Sequence, residues 1–251
     1  RKKPGAARRP KAKRASSGGA APLPTAELAR DFSRRLRTWF KRNGRDLPWR
    51  KTRDPYRVLV SELMLQQTQV SRVIDFYHRF LDRFPTLHHL AESPQAHVLE
   101  AWSGLGYYAR ARNLHALART VTRDGSGSLP SDPAALRALP GVGAYTAGAV
   151  ASFAFERRAE LVDTNVARVL ARVFAPSRNP KRPRDLTQLW RIAEAVLPAR
   201  GPSAWTHNQA IMELGAVICT ARVRACGRCP VAKLCRTRAG DREKLPEFAV
   251  R

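Results

Sequence analysis

The chain has 251 residues, of which 43% are apolar, and it carries a formal net charge of +26. This length allows one or two domains with a hydrophobic core, and we find no secretory h-region and no membrane span in the sequence. The charge favours a polyanionic partner. Nucleic acid is a better candidate than a membrane surface because no amphipathic anchor stands out.

The first 24 residues differ in composition from the rest of the chain. They contain eight Lys or Arg, no acidic residue, and many Ala, Gly, Pro and Ser. This composition is typical of a disordered basic tail. Removing those eight charges from the total of +26 leaves +18, so the remaining sequence is strongly basic as well.

Apolar residues recur at helical spacing through most of the remaining sequence, which predicts an all-α fold. Capping signals mark several helix starts, among them Thr25, Asp54-Pro55, Ser93-Pro94 and Asp132-Pro133. The predicted helices cover residues 25–43, 54–65, 69–84, 93–103, 107–121, 132–139, 144–155, 162–174, 185–197 and 202–218.

Two carboxylates stand in apolar surroundings. Glu62 lies within the run from Val58 to Leu65, and Asp163 follows Leu161 and Val162 at the start of a predicted helix. Apolar surroundings favour a neutral carboxyl, which suits a general acid, whereas a helix N-terminus keeps a carboxylate ionised and able to stabilise a cation. Such a pair can cleave a glycosidic bond. The alternatives are a solvated helix face for Glu62 and a simple N-cap for Asp163.

Glycines flank Val142 in the turn Gly141-Val142-Gly143, between two predicted helices. Successive N–H groups of such a turn can form an anion nest at a helix N-terminus, suited to a DNA phosphate. An ordinary helix–helix turn is the alternative.

The chain has four cysteines, and all lie near the C-terminus with the spacing C-x6-C-x2-C-x5-C: Cys219, Cys226, Cys229 and Cys235. A chain of this size does not need disulfides for stability. Structural zinc sites usually pair two short knuckles, and here one pair alone is that close. The spacing therefore favours a [4Fe–4S] cluster over zinc. A zinc site remains an alternative.

Six segments in this order resemble the helix-hairpin-helix DNA glycosylases of the endonuclease III superfamily, and among them the adenine-specific branch. They are Leu47-Pro48-Trp49-Arg50, the run from Ser61 to Val70, Gly104-Leu105-Gly106-Tyr107-Tyr108-Ala109-Arg110, the hairpin from Leu139 to Ala147, the run from Val162 to Val166, and the four cysteines. Together they span nearly all of residues 25–240.

The resemblance implies an all-α, two-lobed fold with a C-terminal iron–sulfur cluster loop. A six-helix barrel over residues 50–160 would hold the hairpin. Residues 25–49 and 161–218 would form the second lobe, 219–235 the cluster loop and 236–251 a tail. Members of the family commonly carry a further Nudix-like domain that helps to read 8-oxoguanine. We expect this domain to be absent here, so adenine opposite guanine should be accepted as well.

The resemblance also implies a role for each matching residue. Glu62 would protonate adenine at N7, and Asp163 would stabilise the oxocarbenium-like sugar or briefly bond to C1′, with support from Tyr145 and Asn165. The implied contacts to DNA are Arg45, Trp49, Leu65, Val70 and, more weakly, Gln209 in the adenine pocket; Gln67 and Thr68 at the opposite base; Tyr107 as a wedge in the base stack; and Gly141, Val142 and Gly143 at a phosphate.

Tyr145 bears on the type of reaction. Bifunctional relatives carry a lysine at this position that forms a Schiff base, which a tyrosine cannot do. We therefore expect hydrolysis with little lyase activity. Thr164 departs from the family's common Asp-Gly-Asn pattern, and its β-branch could tilt the turn.

The resemblance thus implies a monomeric enzyme that binds double-stranded DNA with an A·8-oxoguanine or A·G mismatch, in the bacterial cytoplasm with the nucleoid and away from membranes. Three alternatives remain open: a thymine glycosylase for G·T mismatches, a non-catalytic iron–sulfur protein that binds DNA, and a zinc-bearing DNA-binding module.

Overall fold

The computed structural model describes residues 22–123 and 127–240, and within these ranges it contains helices and short 3-10 turns but no strand. The all-α prediction is confirmed. The predicted basic tail lies outside the described residues except for its last three positions. The helices are α1 (Ala26–Asn43), α2 (Pro55–Leu65), α3 (Val70–Arg83), α4 (Leu87–Glu92), α5 (Gln95–Ala101), α6 (Ala109–Arg123), α7 (Pro133–Arg137), α8 (Ala144–Phe155), α9 (Thr164–Phe174), α10 (Pro183–Val196), α11 (Gly201–Val217) and α12 (Arg236–Gly240).

Side-chain caps fix the starts of several helices. Thr25 caps α1, Asp54 caps α2 and Asp132 caps α7, and each side chain accepts a hydrogen bond from a backbone N–H in the first turn. These bonds satisfy N–H groups that have no partner inside the helix. Ser93 does not cap α5, because Pro94 occupies the N-cap position there.

Helix α4 was missed by the sequence analysis. Thr86 caps it by accepting a hydrogen bond from the N–H of His89, and Leu87 and Leu90 are buried. The described part of residues 50–160 therefore contains seven helices, α2 to α8, where six were expected. The helix is too short to show a repeated apolar period.

The first residues of the predicted tail pack against the rest of the protein. Residues 236–240 form α12, which packs on α9, and the hydroxyl of Thr237 donates to the carbonyl of Arg172 at 2.7 Å. Thr237 is buried. This contact joins the chain beyond the last cysteine to the end of α9.

The helices pack in two groups that share one hydrophobic core. In one group, α1 contacts α10 and α11, and α9 contacts α10, α11 and α12. In the other, α2 contacts α3, α6 and α8, while α4 and α5 contact α6. Contacts between α8 and α11 connect the two groups. In the described part of the chain, no helix is long and apolar enough to cross a bilayer.

Small residues let α8 lie deep in the core. Its buried face includes Ala147, Gly148, Ala149 and Ala151, and α2 packs against it. A Cβ atom at Gly148 would lie 2.1 Å from the carbonyl oxygen of Glu160, so glycine is required there. This close packing carries the side chain of Tyr145, at the start of α8, to α2.

Candidate active site

Glu62 is a buried acid near the C-terminal end of α2. It is 3% exposed, and nearly all of α2 around it is buried as well. Burial raises the pKa of Glu62 to about 7, because a charge is poorly solvated away from water. A hydrogen bond from Tyr145 works against this shift, and the negative charge of Asp163 adds to it. Glu62 can therefore hold a proton near neutral pH.

Tyr145 binds a different carboxylate from the one expected. Its hydroxyl donates to Oε2 of Glu62 at 2.7 Å, whereas the sequence analysis placed it in support of Asp163. The same hydroxyl lies 3.9 Å from the sulfur of Met212 on α11. Burial raises the pKa of Tyr145, and the negative charges of Glu62 and Asp163 add to this shift. The Tyr145 hydroxyl occupies one carboxyl oxygen of Glu62 and leaves the other oxygen available for a proton.

Asp163 is the N-cap of α9. Its Oδ1 accepts from the N–H of Val166 at 2.7 Å, and its Oδ2 accepts from Nδ2 of Asn165 at 2.9 Å. Burial raises the pKa of Asp163, although these hydrogen bonds and the charge of Arg168 lower it. The direction is opposite to that expected from a helix N-terminus alone. Thr164 starts α9 regularly behind this cap.

Arg168 holds Asn165 in place. Its Nη2 donates to Oδ1 of Asn165 at 2.6 Å and to the carbonyl of Gly215 at 2.7 Å, and its Nε donates to the carbonyl of Cys219 at 2.9 Å. Arg168 is buried, and the sequence analysis did not select it. A chain of hydrogen bonds thus runs from Asp163 to the first cysteine.

An ion-pair network centred on the buried Glu213 lies beside this pair of carboxylates. Glu213 on α11 accepts from Arg45 at 2.7 Å and from Arg50 at 2.8 Å, and its side chain is fully buried. Burial alone would raise the pKa of Glu213, but the two arginines hold it below its ordinary value. Arg50 also donates to Oε1 of Gln209 at 2.8 Å. Arg45 and Gln209 were predicted site residues, whereas Arg50 and Glu213 were missed.

The other predicted pocket residues differ in exposure. Trp49 is buried, and its ring meets that of Tyr77 edge-on at an interplanar angle of 75°, with 5.6 Å between the ring centroids. Leu65 and Val70 are half-buried at the two ends of the loop between α2 and α3. These three side chains are apolar, as the walls of a base pocket must be.

Two exposed residues have left-handed backbones. Gln67 has a φ of 57° and Tyr107 a φ of 50°, which is costly for a residue with a Cβ. Tyr107 is 59% exposed, although aromatic side chains usually lose most of their surface to solvent on folding. Both residues lie where the sequence analysis placed contacts to the bases, and Thr68 is half-buried beside Gln67.

The Gly141-Val142-Gly143 turn is partly closed to an anion. The N–H of Val142 donates to the carbonyl of Leu139 at 3.2 Å, so it cannot point outward as predicted. Gly141 has a φ of 73°, and a Cβ there would lie 2.5 Å from Asn113, so the turn packs against α6. Gly143 is the N-cap of α8 and has no side-chain partner. The first-turn N–H groups of α8 remain for an anion.

The four cysteines line one cavity of about 370 Å³. Burial raises the pKa of Cys229 to about 11 and also raises that of Cys235, and the neighbouring thiols add to both shifts. Nη1 of Arg172, which also lines the cavity, lies 3.2 Å from the sulfur of Cys219. Within residues 22–123 and 127–240, no group of three or more His, Cys, Asp or Glu side chains is arranged to hold one metal ion. A roomy cavity with four thiols and a cationic wall fits an anionic cluster better than a single ion.

A family model covers the segment that builds this site. The model for HhH-GPD superfamily base excision DNA repair proteins matches residues 60–194, which include Glu62, Tyr145 and Asp163. The chain belongs to this family. This match and a solved endonuclease III structure that superposes on the chain confirm the endonuclease III type of fold implied by the sequence resemblance.

Curated relatives extend the similarity beyond the family segment. The chain is 45% identical over 214 residues to a Rattus norvegicus protein named adenine DNA glycosylase, covering 82% of this chain and 41% of that protein. It is 45% identical over 200 residues to a protein of the same name from Mycobacterium tuberculosis, covering 78% of this chain and 64% of that one. The chain thus spans about two fifths of the length of the rat protein.

Solved structures share the fold. A thermostable thymine-DNA glycosylase superposes with a TM-score of 0.78 at 32% identity, over 86% of this chain and 98% of that one. A trapped covalent intermediate of endonuclease III with DNA superposes with a TM-score of 0.72 at 26% identity, over 88% of this chain and all of that one.

Proposed function

We propose that this protein is a DNA glycosylase that hydrolyses the N-glycosidic bond of adenine mispaired with 8-oxoguanine or guanine. The observation that carries the proposal is a buried Glu62 with a pKa of about 7, bonded to Tyr145 and close to Asp163. Curated relatives named adenine DNA glycosylase, at 38–45% identity, support the choice of base.

Glu62 acts as the general acid. Its protonated carboxyl gives a proton to N7 of the extruded adenine, which turns the base into a better leaving group. The hydroxyl of Tyr145 orients the carboxyl by donating to Oε2. Apolar neighbours on α2 keep water away and hold the proton on Glu62 near neutral pH.

Asp163 stabilises the positive charge that develops on the sugar as the base leaves. For this role it must be ionised, and the donors Val166 and Asn165 favour the ionised form. Arg168 fixes the amide of Asn165 so that its NH2 group faces Asp163. A fixed carboxylate needs little reorganisation when the sugar becomes cationic.

Water is the nucleophile that completes the reaction. Tyr145 occupies the position where a Schiff-base lysine would stand, and a phenol cannot form an imine with the sugar. The enzyme releases the base and leaves the strand intact.

The exposed residues assist in extruding the base. Opening a duplex costs a few kcal/mol, and side chains inserted into the gap offset part of that cost. Tyr107 is the wedge, and Gln67 and Thr68 approach the opposite base. Arg45, Trp49, Leu65, Val70 and Gln209 surround the adenine. A mispaired adenine leaves the stack at lower cost than a paired one, so the mismatch adds to selectivity.

The surface charge and the hairpin turn hold the DNA backbone. A net charge of +26 on 251 residues attracts a polyanion and makes affinity fall with salt. The uncapped N-terminus of α8 and the N–H of Gly143 offer donors to one phosphate. These contacts carry no sequence information and position the protein.

The cysteine cavity would hold a [4Fe–4S] cluster. Cys219, Cys226, Cys229 and Cys235 provide its four thiolates, and Arg172 lies against Cys219. When bound, the cluster supplies a fixed set of four metal–thiolate bonds that shape the basic loop from 219 to 235. Base release itself takes place at Glu62 and Asp163.

Thymine excision from G·T mismatches is the second candidate. This chain is 32% identical to the thymine-DNA glycosylase of known structure, and the match covers 98% of that glycosylase chain. The same acid, carboxylate and wedge would serve either base. The base at the site therefore has to be decided by experiment.

Single-turnover base release decides between these functions. Duplexes with A opposite 8-oxoguanine, A opposite guanine and T opposite guanine are incubated with excess protein, and free base is measured. Adenine release from the first two supports the proposal, and thymine release alone overturns it. Borohydride should trap no covalent complex, because Tyr145 cannot form an imine.

Replacing Tyr145 with phenylalanine should shift the pH dependence of base release. The hydroxyl lowers the pKa of Glu62, so its loss should raise that pKa above about 7. Since the acid form then persists to higher pH, the alkaline fall of the rate should move upward. Single-turnover rates between pH 5 and pH 9 test this. An alkaline limb that moves downward would contradict the assigned hydrogen bond.

A further inference from the structure

We infer that Arg110 is a positioning residue that sets Tyr107 and the Gln67 loop in register for base extrusion. The inference rests on the proposed function and adds a residue to which no role has been assigned. Arg110 is the second residue of α6 and is 7% exposed. No carboxylate lies within ion-pair distance of it among the described residues, so its charge serves another purpose.

One arm of the guanidinium caps the C-terminus of α2. Nη1 donates to the carbonyls of Leu63, Met64 and Gln66 at 2.7, 2.8 and 2.6 Å. The last carbonyls of a helix have no partner within it, and a cation there is favourable. The chain turns sharply at this point, because Gln67 adopts a φ of 57°.

The other arm holds the turn before Tyr107. Nη2 donates to the carbonyls of Leu105 and Gly106 at 3.3 and 3.0 Å and to the hydroxyl of Thr68 at 3.3 Å. The guanidinium also lies 5.5 Å from the centroid of the Tyr107 ring. A single planar group therefore bonds the loop of Gln67 and the turn before Tyr107, and each of these two residues has a left-handed backbone.

The geometry requires arginine. The two loops are joined through two nitrogens of one rigid fork, and a lysine has one nitrogen that cannot reach both. The exposed Tyr107 makes no other ring contact in the described part of the chain, so the fork fixes the distance between wedge and Gln67. An error of about 1 Å in such positioning can cost about a hundredfold in rate.

The test is a double-mutant cycle between Arg110→Lys and Tyr107→Ala on the full chain. Single-turnover release is measured on the mismatch that the wild type processes, and 2-aminopurine in place of the target base reports unstacking by its fluorescence. Arg119→Lys, an exposed change on the same helix, is the matched control. Unfolding temperatures of all variants are measured alongside.

Arg110→Lys should slow release by about tenfold to a hundredfold and reduce the fluorescence rise. In the Tyr107→Ala background the same change should cost no more than about twofold, because the wedge it positions is gone. Arg119→Lys should match the wild type. An equal loss of rate in both backgrounds would mean that Arg110 supports only the fold, and that result would overturn the inference. A rate for Arg110→Lys equal to that of the wild type would overturn it as well.

Failure of the proposed function gives a different pattern. If the wild type releases no base but unstacks 2-aminopurine, the glycosylase proposal fails and the cycle is read from fluorescence. If the wild type does neither, both proposals are overturned. Should Arg110→Lys not fold, Arg110→Gln, which keeps one NH2 donor and loses the fork, takes its place in the cycle. The expected coupling and the outcomes that overturn the inference are the same.

Discussion

Glu62→Gln should release adenine about 10³-fold more slowly than the wild type, because glutamine keeps the shape of the acid and has no proton to give. The variant should still bind the mismatched duplex. Single-turnover release and a binding titration on the same A·8-oxoguanine duplex measure the two properties separately. A variant that retains most of the wild-type rate would exclude Glu62 as the acid.

The wild-type rate should fall as the pH rises through about 7, where Glu62 loses its proton. The residual activity of Glu62→Gln should show no such fall. Because Glu62 and Asp163 affect each other, the measured value belongs to the pair rather than to one carboxyl. A pH profile of single-turnover rates for both proteins tests this.

Stability provides the control for this variant. The pKa of Glu62 is about 7 in the folded protein and 4.5 ordinarily, so the folded state binds a proton that the unfolded chain releases. The resulting stabilisation is complete below pH 4.5 and is lost as the pH rises through about 7. At pH 8 the wild type buries a charge that glutamine lacks. The variant should therefore be at least as stable there, by up to about 3 kcal/mol.

Thermal unfolding at pH 5 and pH 8 checks that expectation. If Glu62→Gln unfolds well below the wild type at pH 8, its slow release reflects a damaged fold and the acid role is unsupported. If its unfolding temperature equals or exceeds that of the wild type, the loss of rate belongs to the missing proton.

Local signals explain which parts of the fold could be predicted from the sequence. Thr25, Asp54 and Asp132 cap helices with bonds to residues three positions away, so the pattern is readable from neighbours alone. Helix α4 could not be predicted from the sequence, because its two buried leucines are too few to establish a helical period of apolar residues. Its existence depends on packing against α6, which is set by tertiary structure.

The same distinction applies to the candidate site. Glu62 and Asp163 stand in apolar runs, and their burial follows from those runs. The bond between Tyr145 and Glu62 joins residues 83 positions apart and depends on how α8 crosses α2. Nothing in the local sequence indicates which of two carboxylates a tyrosine will reach.

Buried charges were the least predictable part of the site. A basic or acidic side chain on a helix usually faces water, but Arg110, Arg168 and Glu213 are buried. Arg110 and Arg168 donate to backbone carbonyls of other segments, and Glu213 accepts from a distant arginine. Such partners come together when the helices pack, so the sequence pattern gave no signal for them.

Asp163→Asn should slow adenine release by about 10²–10³-fold, the usual effect of removing one fixed electrostatic contact to a transition state. Asparagine is a good N-cap, and its oxygen can still accept from the N–H of Val166. The wild-type rate should also fall at acidic pH as Asp163 is protonated, at a pH above the ordinary range for aspartate, since burial raises its pKa. Single-turnover rates of both proteins across the acid range measure this.

The neighbouring amide complicates the simple substitution. Arg168 holds Oδ1 of Asn165, so the NH2 group of Asn165 faces Asp163 and would meet a second NH2 group in the variant. The lost hydrogen bond should destabilise the protein by about 1 kcal/mol. Asp132→Asn, at the exposed N-cap of α7, is the matched control and should change neither release nor stability appreciably.

Exchanging the two side chains separates hydrogen bonding from charge. In Asp163→Asn combined with Asn165→Asp, the new carboxylate can accept from both residue 163 and Arg168, so stability should recover. Release should stay slow, because the negative charge has moved two residues along the chain and away from the sugar. Recovery of both stability and rate would show that a charge anywhere in this hydrogen-bonded chain suffices, and the specific role of Asp163 would then be wrong.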